Sequence, residues 1–495
     1  MSTTHRTLEH ARPSAGPGYT VGVAPGALPL IGHAWQMRRH PLEFLRTLSS
    51  HGDLVEVRLG AHKVLVACHP DVVREMLQDA RTFDKGGPLF DTPRRIAGNG
   101  LVNSDWADHR GQRRMMQPAF HSAKMSGYAD LMIAEIEQQI SGWRPGETVQ
   151  VRQHMQAATL NIITRTMFDS LASAETVASV QSSVPVIMDG VYRRMVSPSP
   201  LVEKLPTAHN RAFDAALALI HQVVADLIAD YRSAGVDRGD LLSMLMTYGD
   251  PETGAPLTDQ EIQDQVVTVY LAGSEGTANA MASAFKLISE HPEVEARLHA
   301  ELDALPEDPA ARRAAIPYLE YTTRVTTETL RLRSPAWMVP RYTTREAELA
   351  GRRIAPGTIL LYSPYLLQMD ASTFPDPDRF DPDRWLPERV TPRQRAALVP
   401  FGHGNRMCMG DRFGVMEINA ALATVASRWW LRVASGAVFP KVPAASLGPG
   451  PLPMVLQART PAAPAASGTA ASGHPGQAAP GVCPYPAASA QGSPS

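Results

Sequence analysis

The sequence predicts a mainly α-helical protein with a minor β region, folded as one large domain around a long central helix. Helical apolar patterns dominate the chain up to about residue 335, and two short strand-like regions accompany them. A continuous helical pattern of more than thirty residues, from Thr258 to Pro292, is long for a globular helix. Together these features favour a helical domain that encloses one buried helix.

The long helix carries its own start and stop signals. Thr258 and Glu261 form a capping-box pattern, and Pro292 ends the run. Its middle is apolar nearly all round, so we expect it to cross the core. Gly273 and Gly276 lie at this centre, where each costs about 1 kcal/mol relative to alanine. The glycines indicate either close helix packing or a local widening that admits a ligand or water.

The two strand regions and the chain ends set the predicted domain limits. Leu54–Pro70 has two apolar runs around a turn and predicts a hairpin, and Ala347–Tyr365 has turn signals between short strands. We expect a flexible N-terminus over 1–24, one domain over 25–458, and a disordered Ala/Pro/Gly/Ser-rich tail over 459–495.

Composition excludes several functional classes. The 495 residues are 44% hydrophobic and 19% charged, which is typical of a soluble globular protein. A net charge of −2 favours neither nucleic acid nor an anionic membrane as a partner of the whole protein. The polar N-terminus has no apolar signal region and no run of eighteen apolar residues occurs, so we expect a cytoplasmic protein without a membrane span.

One of the three cysteines stands in a position that suggests chemistry. Cys68 belongs to an apolar strand and Cys483 to the tail, whereas Cys408 lies in FGHGNRMCMG, directly before an amphipathic run. The start of a helix favours a thiolate, which can act as a nucleophile or a metal ligand. His403 is close enough in sequence to leave a nucleophile–base pair open. The loop's glycines and Arg406 instead favour a flat ligand with carboxylates, and haem has that shape.

This loop resembles the haem-binding loop of the cytochrome P450 family, F-G-x-G-x-R-x-C-x-G. The resemblance extends over about 25–458 and implies haem b, with Cys408 as the axial thiolate ligand of its iron. Six positions of the loop match the pattern: Phe401, Gly402, Gly404, Arg406, Cys408 and Gly410.

Further motifs of the family match outside the loop. Glu328 and Arg331 correspond to the family's E-x-x-R pair, and Arg384 to the arginine that completes a buried structural triad. The resemblance implies four residues that bind the carboxylates of the haem propionates: His109, Arg113, Arg341 and Arg406.

The resemblance also implies separate electron donors, a ferredoxin and its reductase, because the chain has no flavin- or dinucleotide-binding glycine pattern. Four further cations are expected to be solvated or to dock an acidic redox protein: Arg110, Arg114, Lys124 and Arg412. We expect a monomer.

The central helix departs from the family at its oxygen site. In the family an acid followed by threonine helps to deliver protons during oxygen activation, and here Glu275 is followed by Gly276, with Thr277 one position later. Thr277 could substitute through a shifted helix, a substrate hydroxyl or water could relay the proton, or coupling could be poor. We favour a water or substrate relay.

The predicted pocket is apolar and suits a hydrocarbon-like substrate. Several stretches resemble bacterial members of the family that oxidise cyclic sesquiterpenes, which implies a terpenoid substrate. Two alternatives stay open: a fatty-acid hydroxylase, with Arg94 and Arg95 as candidate carboxylate partners, and a non-catalytic haem-thiolate protein that binds gases. The predicted lining is Leu89, Phe90, Ile187, Met188, Ala272, Trp337, Met338 and Val339.

Overall fold

The computed structural model describes residues 18–168, 174–195, 205–235, 237–247, 249, 254–435 and 444–460. Most of the predicted N-terminal segment and nearly all of the predicted tail therefore lie outside the described residues. The helices within them are α1 Ala34–Arg39, α2 Pro41–Leu48, α3 Pro70–Gln78, α4 Pro88–Ala97, α5 Trp106–Met116, α6 Ser122–Ile140, α7 Val151–Met167, α8 Ala174–Met195, α9 Ala208–Ala234, α10 Leu241–Thr247, α11 Asp259–Glu290, α12 Pro292–Asp303, α13 Pro309–Ala315, α14 Glu320–Leu332, α15 Pro364–Gln368, α16 Pro392–Ala397 and α17 Asp411–Ala426.

The strands are short and confirm the minor β region. They are β1 Val21–Val23, β2 Leu54–Leu59, β3 His62–Ala67, β4 Phe83–Asp84, β5 Thr148–Gln150, β6 Val339–Thr343, β7 Ala347–Leu349, β8 Arg352–Ile354, β9 Ile359–Tyr362, β10 Trp429–Val433 and β11 Pro453–Ala458. The largest sheet has the order β1-β2-β3-β9-β6-β4, and smaller sheets have the orders β10-β11-β5 and β7-β8.

Both predicted strand regions are present. β2 and β3 pair antiparallel as the predicted hairpin, from Leu54 opposite Ala67 to Leu59 opposite His62. The second region forms β7, β8 and β9, and β9 joins β3 in parallel. β1 lies inside the segment 1–24 that was expected to be flexible, and it pairs in parallel with β2.

The central helix is α11, and it confirms the sequence prediction closely. Thr258 caps it, with reciprocal hydrogen bonds between Thr258 and Glu261, and the helix ends two residues before Pro292. α11 packs against α7, α9, α14 and α17, so its middle is surrounded by helices. The buried apolar residues of these elements and of the large sheet form one core.

One helix in the described part of the chain, α9, is apolar and long enough to cross a membrane by length and composition alone. Buried helices of soluble proteins satisfy the same criterion, and Ile220, Val224 and Leu227 of α9 belong to the core.

Candidate functional site

The cysteine loop, Phe401–Gly410, is fixed between α3 and α17. The Cys408 amide donates to the Phe401 carbonyl at 2.8 Å, which closes the loop. Gly404 has φ of 68°, and a Cβ there would lie 2.5 Å from the Leu77 carbonyl oxygen of α3. The expectation that the loop glycines make room for a flat ligand is therefore wrong at Gly404, where the neighbouring backbone requires glycine.

The Cys408 side chain keeps accessible surface although many protein atoms surround it. Burial raises the pKa of its thiol, and this outweighs the Gly410 amide, which lowers that pKa. The backbone amide at the start of α17 therefore favours the thiolate, as the sequence predicted, but burial of the thiol opposes it more strongly. A residue that is both deep and accessible borders an interior space, where a bound metal cation would stabilise the thiolate.

A set of basic side chains lies around His109, and two of them, Lys85 and Arg113, also act on Cys408. We call the set the cation cluster: Lys85, His109, Arg113, Arg341 and Arg406. Burial, together with the positive charges of Arg406 and Lys85, lowers the pKa of His109 to about 2. His109 is therefore a neutral hydrogen-bonding group at neutral pH. Burial, together with Arg341 and Arg406, also places the pKa of Lys85 well below its ordinary value. Lys85 was not predicted from the sequence.

Asp84 is a second residue that sequence analysis missed. Its buried carboxylate forms an ion pair with Arg406 and accepts the Trp106 amide at 2.6 Å. Arg406 also donates to the Ser104 carbonyl at 2.9 Å. No local motif marks Asp84, because Trp106 and Arg406 are more than twenty residues away in sequence.

The cation cluster retains unused donors. In the described part of the chain, the buried Nε atoms of Arg341 and Arg406 have no hydrogen-bond partner. Arg113 donates to the Met407 carbonyl at 2.7 Å, which ties α5 to the cysteine loop. Buried guanidinium groups with unused donors are costly unless anions bind them, so this geometry suits a ligand with carboxylates.

The predicted ion-pair triad is present. Glu328 accepts from Arg331 Nη2 and Nε at 2.7 and 2.8 Å, and from Arg384 Nε at 3.4 Å. Trp385 Nε1 adds a fourth hydrogen bond to Glu328 at 2.9 Å. Glu328 and Arg331 are fully buried, so the triad joins α14 to the segment around residues 375–385.

At the centre of α11, Glu275 is buried and is approached from α7. Its Oε1 lies 3.6 Å from Arg152 Nη2, and its Oε2 has no hydrogen-bond partner among the described residues. Burial raises the pKa of Glu275 to about 6, and the charge of Arg152 opposes that rise. Arg152 Nε also donates to Asn279 Oδ1 at 2.8 Å.

A cleft of about 210 Å³ reaches this carboxylate, and we call it the α11 cleft. It is partly open, so it provides water with a route towards Glu275 from the side of α7. Its lining residues are Gln150, Arg152, Gln153, Glu275, Asn279, Ala444, Ser446, Gly448, Gly450 and Pro451.

Neither Gly276 nor Thr277 supplies the family's hydroxyl in its usual place. Thr277 Oγ1 donates to the Gly273 carbonyl one turn earlier at 3.3 Å, so this hydroxyl is used within the helix. A Cβ on Gly276 would meet only Pro335 Cβ, at 3.6 Å, among neighbouring described atoms. Ala272 is exposed although the helix around it is largely buried, which places Ala272 beside an interior space.

The predicted substrate-pocket residues fall into different environments. Phe90 and Ile187 are buried, and Met188, Met338 and Val339 are partly buried in the core. Trp337 is buried and its indole N–H donates to the Ala444 carbonyl at 3.0 Å, so it also anchors the loop beside the α11 cleft. The side chain of Leu89 lies outside the described residues.

The other predicted cations also have assigned surroundings. Arg94 donates to the Asn103 carbonyl at 3.1 Å and the Lys85 carbonyl at 3.3 Å. Backbone carbonyls therefore already bind Arg94, the first candidate partner for a fatty-acid carboxylate. Arg95 is exposed. Lys124 donates to the Gly239 carbonyl.

A second cleft, of about 240 Å³, joins the cation cluster to the surface and is lined by Trp106, His109, Arg110, Arg113, Arg114, Gln117 and Asn405.

Comparison with known proteins identifies the family. The family model described as "Cytochrome P450" matches residues 23–454. Cyclooctatin synthase of Streptomyces melanosporofaciens is 47% identical over 88% of this chain and 95% of its own. Pentalenene oxygenase of Streptomyces avermitilis is 41% identical over 90% of this chain and 98% of its own.

The chain belongs to the cytochrome P450 family. A solved structure, "Crystal structure of cytochrome P450DA heme domain", has a TM-score of 0.79 and 26% identity, and covers 90% of this chain and 99% of its own. The P450 assignment confirms the predicted fold class, and named relatives include monooxygenases, so the chain is a monooxygenase.

The residues around Cys408 fit the cofactor that this P450 family implies. An accessible thiol at the start of a helix can bind iron, and the unused donors of Arg341 and Arg406 can bind two carboxylates. Bound haem supplies the site for oxygen activation. The chain supplies its seat, the cations around it, and the buried acid Glu275.

Proposed function

We propose that this P450 monooxygenase oxidises a cyclic sesquiterpene or a related terpenoid. The observation that carries the proposal is the similarity to relatives named for such products. Cyclooctat-9-en-7-ol 5-monooxygenase of Streptomyces melanosporofaciens is 45% identical over 89% of this chain, and it joins the two relatives described above. The apolar side chains of Phe90, Ile187 and Val339 support a hydrocarbon substrate held by shape.

The proposed cofactor is haem b with the Cys408 thiolate on its iron. Arg341 and Arg406 are the proposed propionate partners because each has an unused buried donor. His109 is proposed as a neutral hydrogen-bond donor, and Arg113 and Lys85 as further cations near the carboxylates. Phe401, Gly402, Gly410 and Ala272 of α11 complete the residues that would hold the haem.

The chain's own part in the reaction is to hold substrate and to deliver protons. Glu275, Gly276 and Thr277 form the proposed catalytic segment, with Glu275 as the acid. Because the Thr277 hydroxyl donates to its own helix, the proton path is proposed to run through water between Glu275 and the substrate side of α11. The pKa of Glu275, about 6, suits a group that both accepts and releases protons near neutral pH.

A ferredoxin with its reductase is the proposed electron source. The second cleft and the exposed cations Arg110, Arg114 and Arg412 support docking of an acidic protein near the cysteine loop. We further propose that the protein is a cytoplasmic monomer, with one domain over 25–458.

A titration of the purified ferric holoenzyme tests the substrate class. Cyclic sesquiterpenes and, separately, fatty acids are added while the haem absorption band is followed. A saturable shift from low to high spin with a sesquiterpene alone is expected. A shift with fatty acids alone would replace the terpenoid with the fatty-acid alternative, although Arg94 is already bonded to backbone carbonyls.

A turnover assay distinguishes a monooxygenase from the second alternative, a non-catalytic gas-binding protein. With added ferredoxin, reductase and NADPH, we expect oxygen-dependent product from a terpene that shifts the spectrum. Spectral binding without product across a broad terpene panel would favour the gas-binding alternative.

A further inference from the structure

A short segment next to β1 exposes an unusual amount of apolar surface. Among the large hydrophobic residues, Leu30 is 93% exposed, Val23 65%, Trp35 50%, Leu28 45% and Ile31 44%. Isolated exposed apolar residues are common, but five within thirteen consecutive residues form a patch. We call Val23–Trp35 the apolar tip.

The backbone holds the apolar tip in one conformation. Leu28 and Gly32 exchange backbone hydrogen bonds, each 2.9 Å long, so the chain reverses direction between them. Leu30 lies inside this turn at φ of 64°, a left-handed conformation that disfavours leucine. The Gln36 side chain donates to the Gly26 carbonyl at 2.6 Å and ties the turn to α1. The fold therefore presents a leucine to solvent at a position that glycine or asparagine would occupy more easily.

The chain segment that carries the apolar tip is basic, although Glu56 of β2 lies opposite Val23 and the exposed Glu43 follows the segment. No aspartate or glutamate occurs from Thr20 to Leu42, whereas Arg38 and Arg39 end α1. The Arg39 guanidinium lies 5.6 Å from the centre of the Trp35 ring, over its face. No residue of α1 is buried. The whole chain has a net charge of −2, so this positive character is local.

We propose that the apolar tip docks onto an anionic lipid surface. A projecting leucine with an adjacent tryptophan and two arginines matches the boundary between acyl chains and phosphate headgroups. Arg38 and Arg39 complement lipid phosphates, and Leu30 and Ile31 are apolar enough to enter the acyl region. A protein partner would need about 800 Å² of complementary surface, whereas a projecting turn of a few residues offers much less.

Vesicle sedimentation of the full-length holoenzyme tests the proposal without any substrate. Vesicles of equal parts phosphatidylglycerol and phosphatidylcholine are compared with vesicles of phosphatidylcholine alone. We expect binding to the anionic vesicles, weaker binding to the neutral ones, and a loss of affinity as salt is raised. Absence of wild-type binding to anionic vesicles would overturn the proposal.

The variant Leu30→Gly removes the apolar side chain while glycine accepts the positive φ, so folding should be retained. Binding to anionic vesicles should weaken by about tenfold or more, since the apolar area of one leucine is lost. The control Tyr318→Ser removes a side chain that is 77% exposed elsewhere on the surface, and should bind like wild type.

Equal binding by Leu30→Gly and wild type would contradict the role of the apolar tip. Size-exclusion chromatography adds a second readout. If Leu30→Gly converts a dimer to a monomer and vesicles bind neither, the patch is an interface between copies, and the lipid proposal is wrong.

Discussion

Arg152 connects the buried acid of the central helix with a cleft that is open to water. Its guanidinium lies 3.6 Å from Glu275 Oε1 and also donates to Asn279, so it positions the carboxylate and lowers its pKa. It comes from the first turn of α7, far away in sequence, and no motif in the chain indicates this contact.

Replacing Arg152 with glutamine should raise the pKa of Glu275 above its value of about 6, because the opposing positive charge is lost and burial remains. The protonated carboxyl should then persist to higher pH in an infrared titration, where Glu275→Gln identifies its band. Arg152→Lys keeps a charge and should shift the midpoint less. The same midpoint in Arg152→Gln and wild type would show that Arg152 does not control this acid.

Glu417 offers a prediction about stability. It is buried in α17, and burial raises its pKa from 4.5 to about 8. Between these values the unfolded chain releases the proton while the folded protein retains it, so the wild type loses stability as pH rises from about 4.5 to 8.

Glu417→Gln should remove that dependence. Its free energy of unfolding relative to wild type should therefore rise by about 2–4 kcal/mol between pH 5 and pH 8. Unfolding midpoints across this range measure the effect. Glu43→Gln, at a side chain that is 81% exposed, serves as the control and should follow the wild-type curve. Parallel curves for Glu417→Gln and wild type would mean that this carboxyl titrates normally.

At the scale of elements, the two glycines of α11 differ in what surrounds them. A Cβ on Gly273 would lie 2.8 Å from Ile163 Cδ1 of α7, so close packing against α7 favours glycine, although a shift of the Ile163 side chain would make room. Gly276 has only an ordinary contact with Pro335, so packing does not require glycine there. The sequence alone is compatible with both explanations for both residues, and only the neighbouring helix distinguishes them.

Gly276→Thr should therefore fold, and should change the yield of product per electron pair by placing a hydroxyl beside Glu275. Gly276→Ala is the matched control, because it adds the Cβ without the hydroxyl and should gain up to about 1 kcal/mol of helix stability. Product and peroxide are measured together against NADPH consumed. Identical coupling in Gly276→Thr and Gly276→Ala would rule out a role for the hydroxyl.

The helices and hairpins were predictable because their determinants are local. The capping box at Thr258 and the turn between β2 and β3 involve neighbouring residues, so they can be read from the sequence. The parallel pairing of β3 with β9 joins segments almost three hundred residues apart, and no local pattern specifies it.

At the scale of the whole molecule, the second cleft places basic residues of α5 beside the cysteine loop. Replacing Arg110 and Arg114 together with glutamine should slow reduction by a ferredoxin several-fold at low salt and weaken its salt dependence, because two steering charges are lost. Stopped-flow reduction at several ionic strengths measures this. Arg353→Gln, at an arginine 80% exposed on β8, is the control. Equal rates in the double variant and wild type would place docking elsewhere.

The sequence by itself determined the family, the position of the cysteine loop and the long helix, because each depends on closely spaced residues of restricted type. Tertiary structure decided which distant charges meet. It brought Asp84 to Arg406, Lys85 to the cation cluster and Arg152 to Glu275, and it showed that Thr277 bonds within its own helix. Electrostatic pairing depends on distance and burial, which only the folded chain fixes.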